Sequence, residues 1–362
     1  MKVLLINPWQ PETFPPPSIG YLQATLKAHG IDVRAMDLNE ALSTRDDFDI
    51  VGVTFHSFSV RYAKLIREKF KCHLVCGGHH PSALPYQMLK IGYDQVVIGE
   101  GENAILEIIE GNRDPIVTSL RPDINKISFP DYSGLSYGGE MGLPVISSRG
   151  CPFSCSFCAS SDFWKSYRMR SSKNVKSEIR SLPVKKFMFE DDNYTAHTGR
   201  VSEICDDLKG KGYSWQCASR AGALTEDLCK ILYESGCHTV WIGVESLSQL
   251  SLDRCNKKTT VEKMITGIKT AEAAGLNTRC QFIVGIPDDT QEDIIETVRV
   301  MKRNSIHGGA NIIWLLPNTE AYKRAKQRGF SDEVYLQSGA PFYEYEHPLR
   351  ELKQWADMIN AA

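Results

Sequence analysis

The sequence predicts an α/β protein in two parts, a doubly wound parallel sheet followed by a partial barrel of six β/α repeats. Three observations carry this. Short apolar runs alternate with helical patterns along both halves, which implies parallel strands covered by helices. A turn-rich stretch at 111–143, with Pro115, Pro122 and Pro130, divides them. Polar, chemistry-bearing residues follow the second half's strands one after another, as they do where strands present their carboxyl ends to one side.

The first half spans residues 1–110. "KVLLIN" is a short apolar run that stops at Asn7-Pro8 and reads as a buried strand. "SIGYLQATLKAHG" puts Ile19, Leu22 and Leu26 on one helical face, and Gly30 is a suitable stop. "IDVRAMD", "FDIVGVTF", "CHLVCGG" and "YDQVVIGE" read as further strands, with helices near 60–70, near Leu84 and from Glu102. Such sheets bind ligands beyond the carboxyl ends of their strands. Those ends carry Gly, Pro and His, at Pro15 to Ser18, Gly77 to His80 and Gly99 to Glu102. They suit a loop-built binding rim, or equally a set of plain turns. Segment 111–143 shows no clear periodicity and reads as a linker.

The second half runs over 144–330. Its strands are "LPVISS", "KKFMFE", "YSWQCAS", "HTVWIGVE", "NTRCQFIVG" and "ANIIWLL", the first five followed by a cysteine loop, "EDDN", "SR", "GVES" and "VGIPDD". A short aromatic tail, 331–362, is expected to cover the barrel.

Composition narrows the function. The formal charge of −2 gives no whole-chain footprint for nucleic acid. No apolar run reaches the length of a membrane span, and the N-terminal apolar run is too short for a signal-peptide core. These features point to the cytoplasm, where eleven cysteines are thiols or metal ligands rather than disulfides.

The loop "RGCPFSCSFCASS" brings Cys151, Cys155 and Cys158 within eight residues. A structural zinc site closes with four protein ligands, and no fourth cysteine or nearby following histidine offers itself. A disulfide would leave one thiol over. A 4Fe-4S cluster takes thiolates, and three of them leave one iron open to a ligand. Zinc stays as the alternative on spacing alone. The remaining eight cysteines sit singly in strand or helix patterns and read as small buried hydrophobes. The basic run "WKSYRMRSSKNVK" reads as a solvated helix approach, with an anion site as its alternative.

Cys-x-x-x-Cys-x-x-Cys, together with "YRMRSSKNVKSEI", "FMFEDDNYT", "GCHTVWIGVESLS" and "FIVGIPDDTQEDI", resembles the radical S-adenosylmethionine (radical SAM) superfamily. With "INP", "GGHHPSALP" and "VVIGEGE", the resemblance extends to the branch with an N-terminal cobalamin-binding-type domain, and so to nearly the whole chain. It implies a Rossmann-like domain followed by a partial (β/α)6 TIM barrel. It implies a 4Fe-4S cluster on Cys151, Cys155 and Cys158 that reductively cleaves S-adenosyl-L-methionine to a 5′-deoxyadenosyl radical. It places Phe157 near the adenine, Glu190 on the methionine ammonium with Asp191 and Asp192 as nearby candidates, and Arg220 on the carboxylate, which a planar guanidinium suits. Glu245 and Ser246 match the ribose position, and Gly285, Ile286 and Pro287 the adenine segment. The N-terminal loops, with Gly77, Gly78, His79, Gly99, Glu100 and Gly101, would hold cobalamin. Partners so implied are a small-molecule or peptide substrate and an electron donor such as flavodoxin or ferredoxin, with neither nucleic acid nor membrane.

Three readings of the reaction follow. The first is cobalamin-dependent methylation of a carbon. The second is another radical step, such as dehydrogenation, epimerisation, rearrangement or decarboxylation, beneath an N-terminal domain that no longer holds cobalamin. The third is a non-catalytic metal-binding protein. The Asp-x-His-x-x-Gly motif of the cobalamin mutases is absent, which leaves the first two open.

Overall fold

The computed structural model describes residues 1–8, 15–135 and 141–362. The chain divides into two compact units, Met1–Pro144 with Ser331–Pro341, and Val145–Phe330 with Phe342–Ala362.

The first unit is built on six strands: β1 (Lys2–Asn7), β2 (Asp32–Asp37), β3 (Ile50–Thr54), β4 (His73–Gly77), β5 (Gln95–Val97) and β6 (Ile116–Val117). Their order is β2-β1-β3-β4-β5-β6, and every pairing is parallel. Val3 to Ile6 and Leu74 to Cys76 are buried, as expected of strands covered on both faces. The order reverses between β1 and β3, the kind of switch point where open α/β sheets take ligands. The fold is the Rossmann-like one the sequence predicts.

Two features of this unit depart from expectation. The 111–143 segment contributes β6, which pairs with β5; a two-residue strand beside Pro115 carries no readable period. The tail at 331–362 divides, residues 331–341 belonging to this unit and 342–362 to the second. In its first part the helix Glu333–Ser338 buries Tyr335 fully, edge-on to the equally buried His80 at 5.0 Å. Gln87 Nε2 donates to Asp332 O at 2.7 Å. This packing joins positions far apart in the chain, which local pattern cannot reveal.

The second unit holds β7 (Leu143–Val145), which begins at the boundary, β8 (Ser148–Arg149), β9 (Arg168–Met169), β10 (Lys186–Phe189), β11 (Ser214–Ser219), β12 (Cys237–Glu245), β13 (Asn277–Val284) and β14 (Gly308–Ile312). The main sheet runs in the order β14-β13-β12-β11-β10-β7, a six-strand partial barrel, with β10 through β14 parallel. Its core gathers Phe187, Phe189, Trp215, Val240, Ile242 and Phe282. The helix Leu349–Asn360 covers the β13–β14 end and buries Leu352 and Trp355. The antiparallel pair β8–β9 frames the cysteine loop and was not foreseen, its strands being two residues each.

Candidate functional site: a three-thiol loop at the strand ends of the barrel

The cysteine loop leaves β8 through Gly150, whose φ is +84° and where a Cβ would meet Ser166 O at 2.5 Å. Only glycine fits that turn without strain. Cys151, Cys155 and Cys158 follow as free, half-buried thiols. Burial above all, with Asp192 and the other two thiols adding, pushes Cys158 up to about 11.

The loop is cross-tied on every side. Ser156 N donates to Cys255 O at 3.0 Å, and Asn256 Nδ2 to Ser154 O at 2.8 Å. Glu320 N donates to Ser156 O at 3.0 Å. Asn318 Nδ2 donates to Asp162 Oδ2 at 2.6 Å. Arg220, just past β11, lies 3.9 Å over the Phe153 ring and brings Nη1 to 3.6 Å from Cys155 Sγ. Its Nη2 donates to Lys257 O. Cys255 sits beneath the loop, but its thiol donates to Leu252 O at 3.4 Å. Cys255 is one of seven buried cysteines outside the triplet, and Cys72 is half-buried.

The three acids after β10 divide their work. Asp191 is buried and accepts from Ser147 N, Ser147 Oγ and Ser148 Oγ, each at 2.6 Å, with Arg200 Nη2 at 3.7 Å. It ties β10 to the approach of the cysteine loop. Asp192 accepts from Ser160 Oγ at 2.5 Å and holds the loop's far side. Glu190 directly precedes them. Among the described residues its carboxylate has no hydrogen-bond or ion-pair partner. Burial, then repulsion from Asp191 and Asp192, pushes it up to about 7.

At the end of β12, Glu245 takes φ +65° and accepts from Lys257 Nζ at 2.6 Å, both side chains buried. Lys257 also lies 5.9 Å from the Phe157 ring. Sequence reasoning missed it, because a lysine in a basic "NKK" run reads as solvated. Ser246 faces inward, its Oγ 3.0 Å from Thr297 Oγ1 and accepting from Ser248 N at 3.1 Å. Its hydroxyl holds the turn after β12. After β13, Gly285 packs against Leu352, Ile286 N donates to Asp289 Oδ2 at 3.0 Å, and Pro287 is buried. Burial pushes the Asp289 carboxyl up to about 7. In the basic run Lys165 and Lys173 are exposed as a solvated approach would have them, whereas Arg170 is buried in an ion pair with Glu178.

In the first unit, Gly78 has φ +99°, and a Cβ there would meet Phe55 O at 2.8 Å. Gly77 ends β4 directly before it. His79 stacks on His56, ring centroids 5.5 Å apart, and burial pushes His79 down to about 3. His80 is committed to Ser57 Oγ at 3.1 Å and Gln87 Oε1 at 2.8 Å. Gly99 N donates to Ser82 Oγ at 2.9 Å, with open space at its Cα. The next two residues make contacts within the unit. The Glu100 carboxylate lies 3.9 Å from Arg121 Nε and is buried. Gly101 lets its helix approach Leu22, which a Cβ would meet at 3.1 Å. Residues 9–14 lie outside the described residues.

These donor sets fit the groups they would hold. Three thiols on one tied loop suit an iron–sulfur cluster. An unpartnered acid and a guanidinium beside them suit an amino-acid end. Glycine-lined strand ends after β4 and β5 suit a flat corrin.

Taken together, the fold and loop define an enzyme of radical chemistry. The comparisons fix the family. The Radical SAM superfamily model matches residues 145–301 and the B12 binding domain model residues 11–109. An uncharacterized methyltransferase of Pyrococcus horikoshii is 31% identical, over 84% of this chain and 79% of its own length. The anaerobic magnesium-protoporphyrin IX monomethyl ester cyclase of Rubrivivax gelatinosus is 28% identical, over 83% and 66%. The radical S-adenosylmethionine methyltransferase TsrM of Kitasatospora setae, solved with tryptophan and a SAM analogue, shares the fold at TM-score 0.74 and 19% identity, over 89% of this chain and 76% of TsrM. The chain belongs to the radical SAM superfamily, in the branch that carries a B12-binding domain. Among the described residues no helix is long and apolar enough to cross a membrane.

Proposed function

We propose that this enzyme is a cobalamin-dependent radical SAM methyltransferase acting on a carbon of a small molecule or peptide. The observation that carries the reading is the pairing, in one chain, of the three-thiol barrel loop with a B12-binding domain over 11–109. When bound, the cluster supplies the electron that cleaves S-adenosylmethionine, and the corrin supplies the methyl group.

The residues divide as follows. Cys151, Cys155 and Cys158 hold the cluster, and Arg220 places a cation beside Cys155. Glu190 is the acceptor for the methionine ammonium, because it is the one acid of its triplet left without a tie. Arg220 also pairs the carboxylate. Phe157, Glu245, Gly285, Ile286 and Pro287 border the nucleoside, with Lys257 fixing Glu245. Asp192 orients the loop through Ser160. Gly77, Gly78, His79 and Gly99 form the corrin rim. We place the chain in the cytoplasm, reduced by a flavodoxin or a ferredoxin.

The cyclase relative favours one second reading, a radical reaction without methyl transfer. Anaerobic protein reconstituted with iron, sulfide and hydroxocobalamin separates the two. The methyltransferase reading expects about one corrin and one 4Fe-4S cluster per chain, and isotopic methyl passing from S-adenosylmethionine to the corrin. Changing all three cysteines to Ala should remove the iron and the 5′-deoxyadenosine product while corrin still binds. Cleavage of S-adenosylmethionine by protein that takes up no corrin would shift the assignment to the second reading. Iron retained in the triple variant would refute the cluster site.

A further inference from the structure

We propose that Arg324 is a positioning residue for S-adenosylmethionine: its helix bonds to the cysteine loop and to the turn after β13, and so sets the nucleoside segment against the cluster loop. The inference rests on the reading of the second unit's site given above.

The turn after β13 has an uncommon backbone. Gly285 takes φ +80° and Asp288 φ +69°. The left-handed region is rare for a residue other than glycine, and it persists where the surroundings over-determine it. Within the turn, Ile286 N donates to Asp289 Oδ2 at 3.0 Å and Asp289 N to Ile286 O at 2.8 Å. Neither bond engages Asp288, whose ties come from farther along the chain. Arg324 Nη1 and Nη2 donate to its two carboxylate oxygens, each at 2.8 Å. Such a pairing of planar guanidinium and carboxylate fixes direction as well as distance. Asp288 N donates to Glu346 Oε2 at 2.8 Å. The other Glu346 oxygen accepts from Arg324 Nη1 at 3.1 Å and from Tyr343 Oη at 2.6 Å. One connected network thus holds Asp288 by backbone and by side chain.

The same helix is anchored on the cysteine loop. Arg324 lies in the helix Glu320–Gln327, one turn after Glu320, whose carboxylate accepts from Arg324 Nε at 3.1 Å. Glu320 N donates to Ser156 O at 3.0 Å, between Cys155 and Cys158. Asn318, just before the helix, donates from Nδ2 to Asp162 Oδ2 at 2.6 Å. One short helix therefore joins the three-thiol loop to the residue that follows Gly285, Ile286 and Pro287. The loop is where the amino-acid end of the cofactor sits in the reading above, and the turn borders its nucleoside. The sulfonium lies between those ends, so the spacing of loop and turn places the bond that is cut. A misplacement of about 1 Å in such a site costs about a hundredfold in rate. The Arg324 and Asp288 side chains are 30% and 57% exposed. Exposed pairs add little to stability, so the network serves geometry.

The test uses the anaerobic, cluster-loaded full chain. Arg324→Gln removes the fork, Arg324→Lys keeps the charge without it, and Glu346→Gln loosens the same turn from its other side. Calorimetric titration with S-adenosylmethionine should show affinity weakened about tenfold in Arg324→Gln, the scale of one lost charge-assisted bond. Arg324→Lys should fall nearer to Arg324→Gln than to the parent, and Glu346→Gln should weaken in the same direction. Denaturation midpoints should stay at the parent's value. Electron paramagnetic resonance of the reduced cluster separates positioning from loss of the site. Saturating S-adenosylmethionine should shift the signal in every variant as in the parent, while release of 5′-deoxyadenosine falls about a hundredfold in Arg324→Gln. Parent affinity in Arg324→Gln, full rescue by Arg324→Lys, or an affinity loss that only tracks a fallen midpoint overturns the proposal. A parent chain whose loaded cluster does not respond to S-adenosylmethionine overturns instead the reading on which it rests.

Discussion

The two strand-end rims of this molecule are fastened by different means. In the second unit the cysteine loop is held by charge and by directed hydrogen bonds: Asp191 to two serines, Asp192 to Ser160, Arg220 to Lys257 O, and Lys257 to Glu245. In the first unit the rim combines packing with hydrogen bonds between neutral groups, as from His80 to Ser57 and Gln87. Phe55, His80 and Tyr335 are fully buried, and the ring contacts are between neutral groups. The difference follows the chemistry each rim must hold. Three thiolates and a charged amino-acid end need fixed charges at fixed places, and charge-assisted bonds are the short, directional ones. A corrin needs area and close backbone approach, which packing and glycine supply.

The largest stability effect should come from breaking the buried pair Lys257–Glu245. Lys257→Met leaves an uncompensated carboxylate and should lower stability by about 3 kcal/mol or more. Adding Glu245→Leu should restore most of that loss, because a buried pair replaced by apolar groups is often neutral. Urea unfolding of the three variants measures this. If Glu245 borders the nucleoside, the double variant regains stability but still binds S-adenosylmethionine weakly. Recovery of both would make the pair purely structural.

The sequence exposes one of these fastenings better than the other. Thiol spacing, the "EDDN" cluster and the strand runs are local patterns, so the six-strand barrel, the five longer strands of the first unit and the loop itself are legible. How three adjacent acids divide is not, because it depends on Ser147, Ser148, Ser160 and Arg200 arriving from other elements. Lys257 is hidden for the same reason: its burial is set by β12 and the cysteine loop, while its neighbours in sequence read as surface. In the first unit, β6 is too short to show a period, and Tyr335 reaches His80 from 255 positions away.

A second prediction tests the packed rim. Tyr335→Ala removes a fully buried ring that packs on His80. Large-to-small core changes of this kind cost about 3 kcal/mol. The loss should be insensitive to salt and should reduce corrin uptake while leaving iron content unchanged. Limited proteolysis and metal analysis on the same sample would check both halves. Lost iron with unchanged corrin uptake would reverse the roles assigned to the two rims.

The smallest expected effect is the most specific, since among the described residues the Glu190 carboxylate has no hydrogen-bond or ion-pair partner. Its carboxyl is pushed from the ordinary 4.5 up to about 7, so the folded, unloaded chain keeps a proton there that the unfolded chain releases. Stability of the unloaded chain should therefore fall as pH rises from 4.5 to about 7. Cofactor affinity should move the opposite way. An ammonium needs the ionised form, so below about 7 binding must expel a proton, and affinity should climb about tenfold per pH unit before levelling above it. Glu190→Gln cannot ionise. It should flatten both profiles and weaken binding by about tenfold at high pH, the scale of one charge-assisted bond. Calorimetric titration of cluster-loaded protein with S-adenosylmethionine across this range gives affinity and proton release together. A sloping profile that survives in Glu190→Gln would place the ammonium acceptor elsewhere on the rim, and Asp192, already bonded to Ser160, would be the next residue to change.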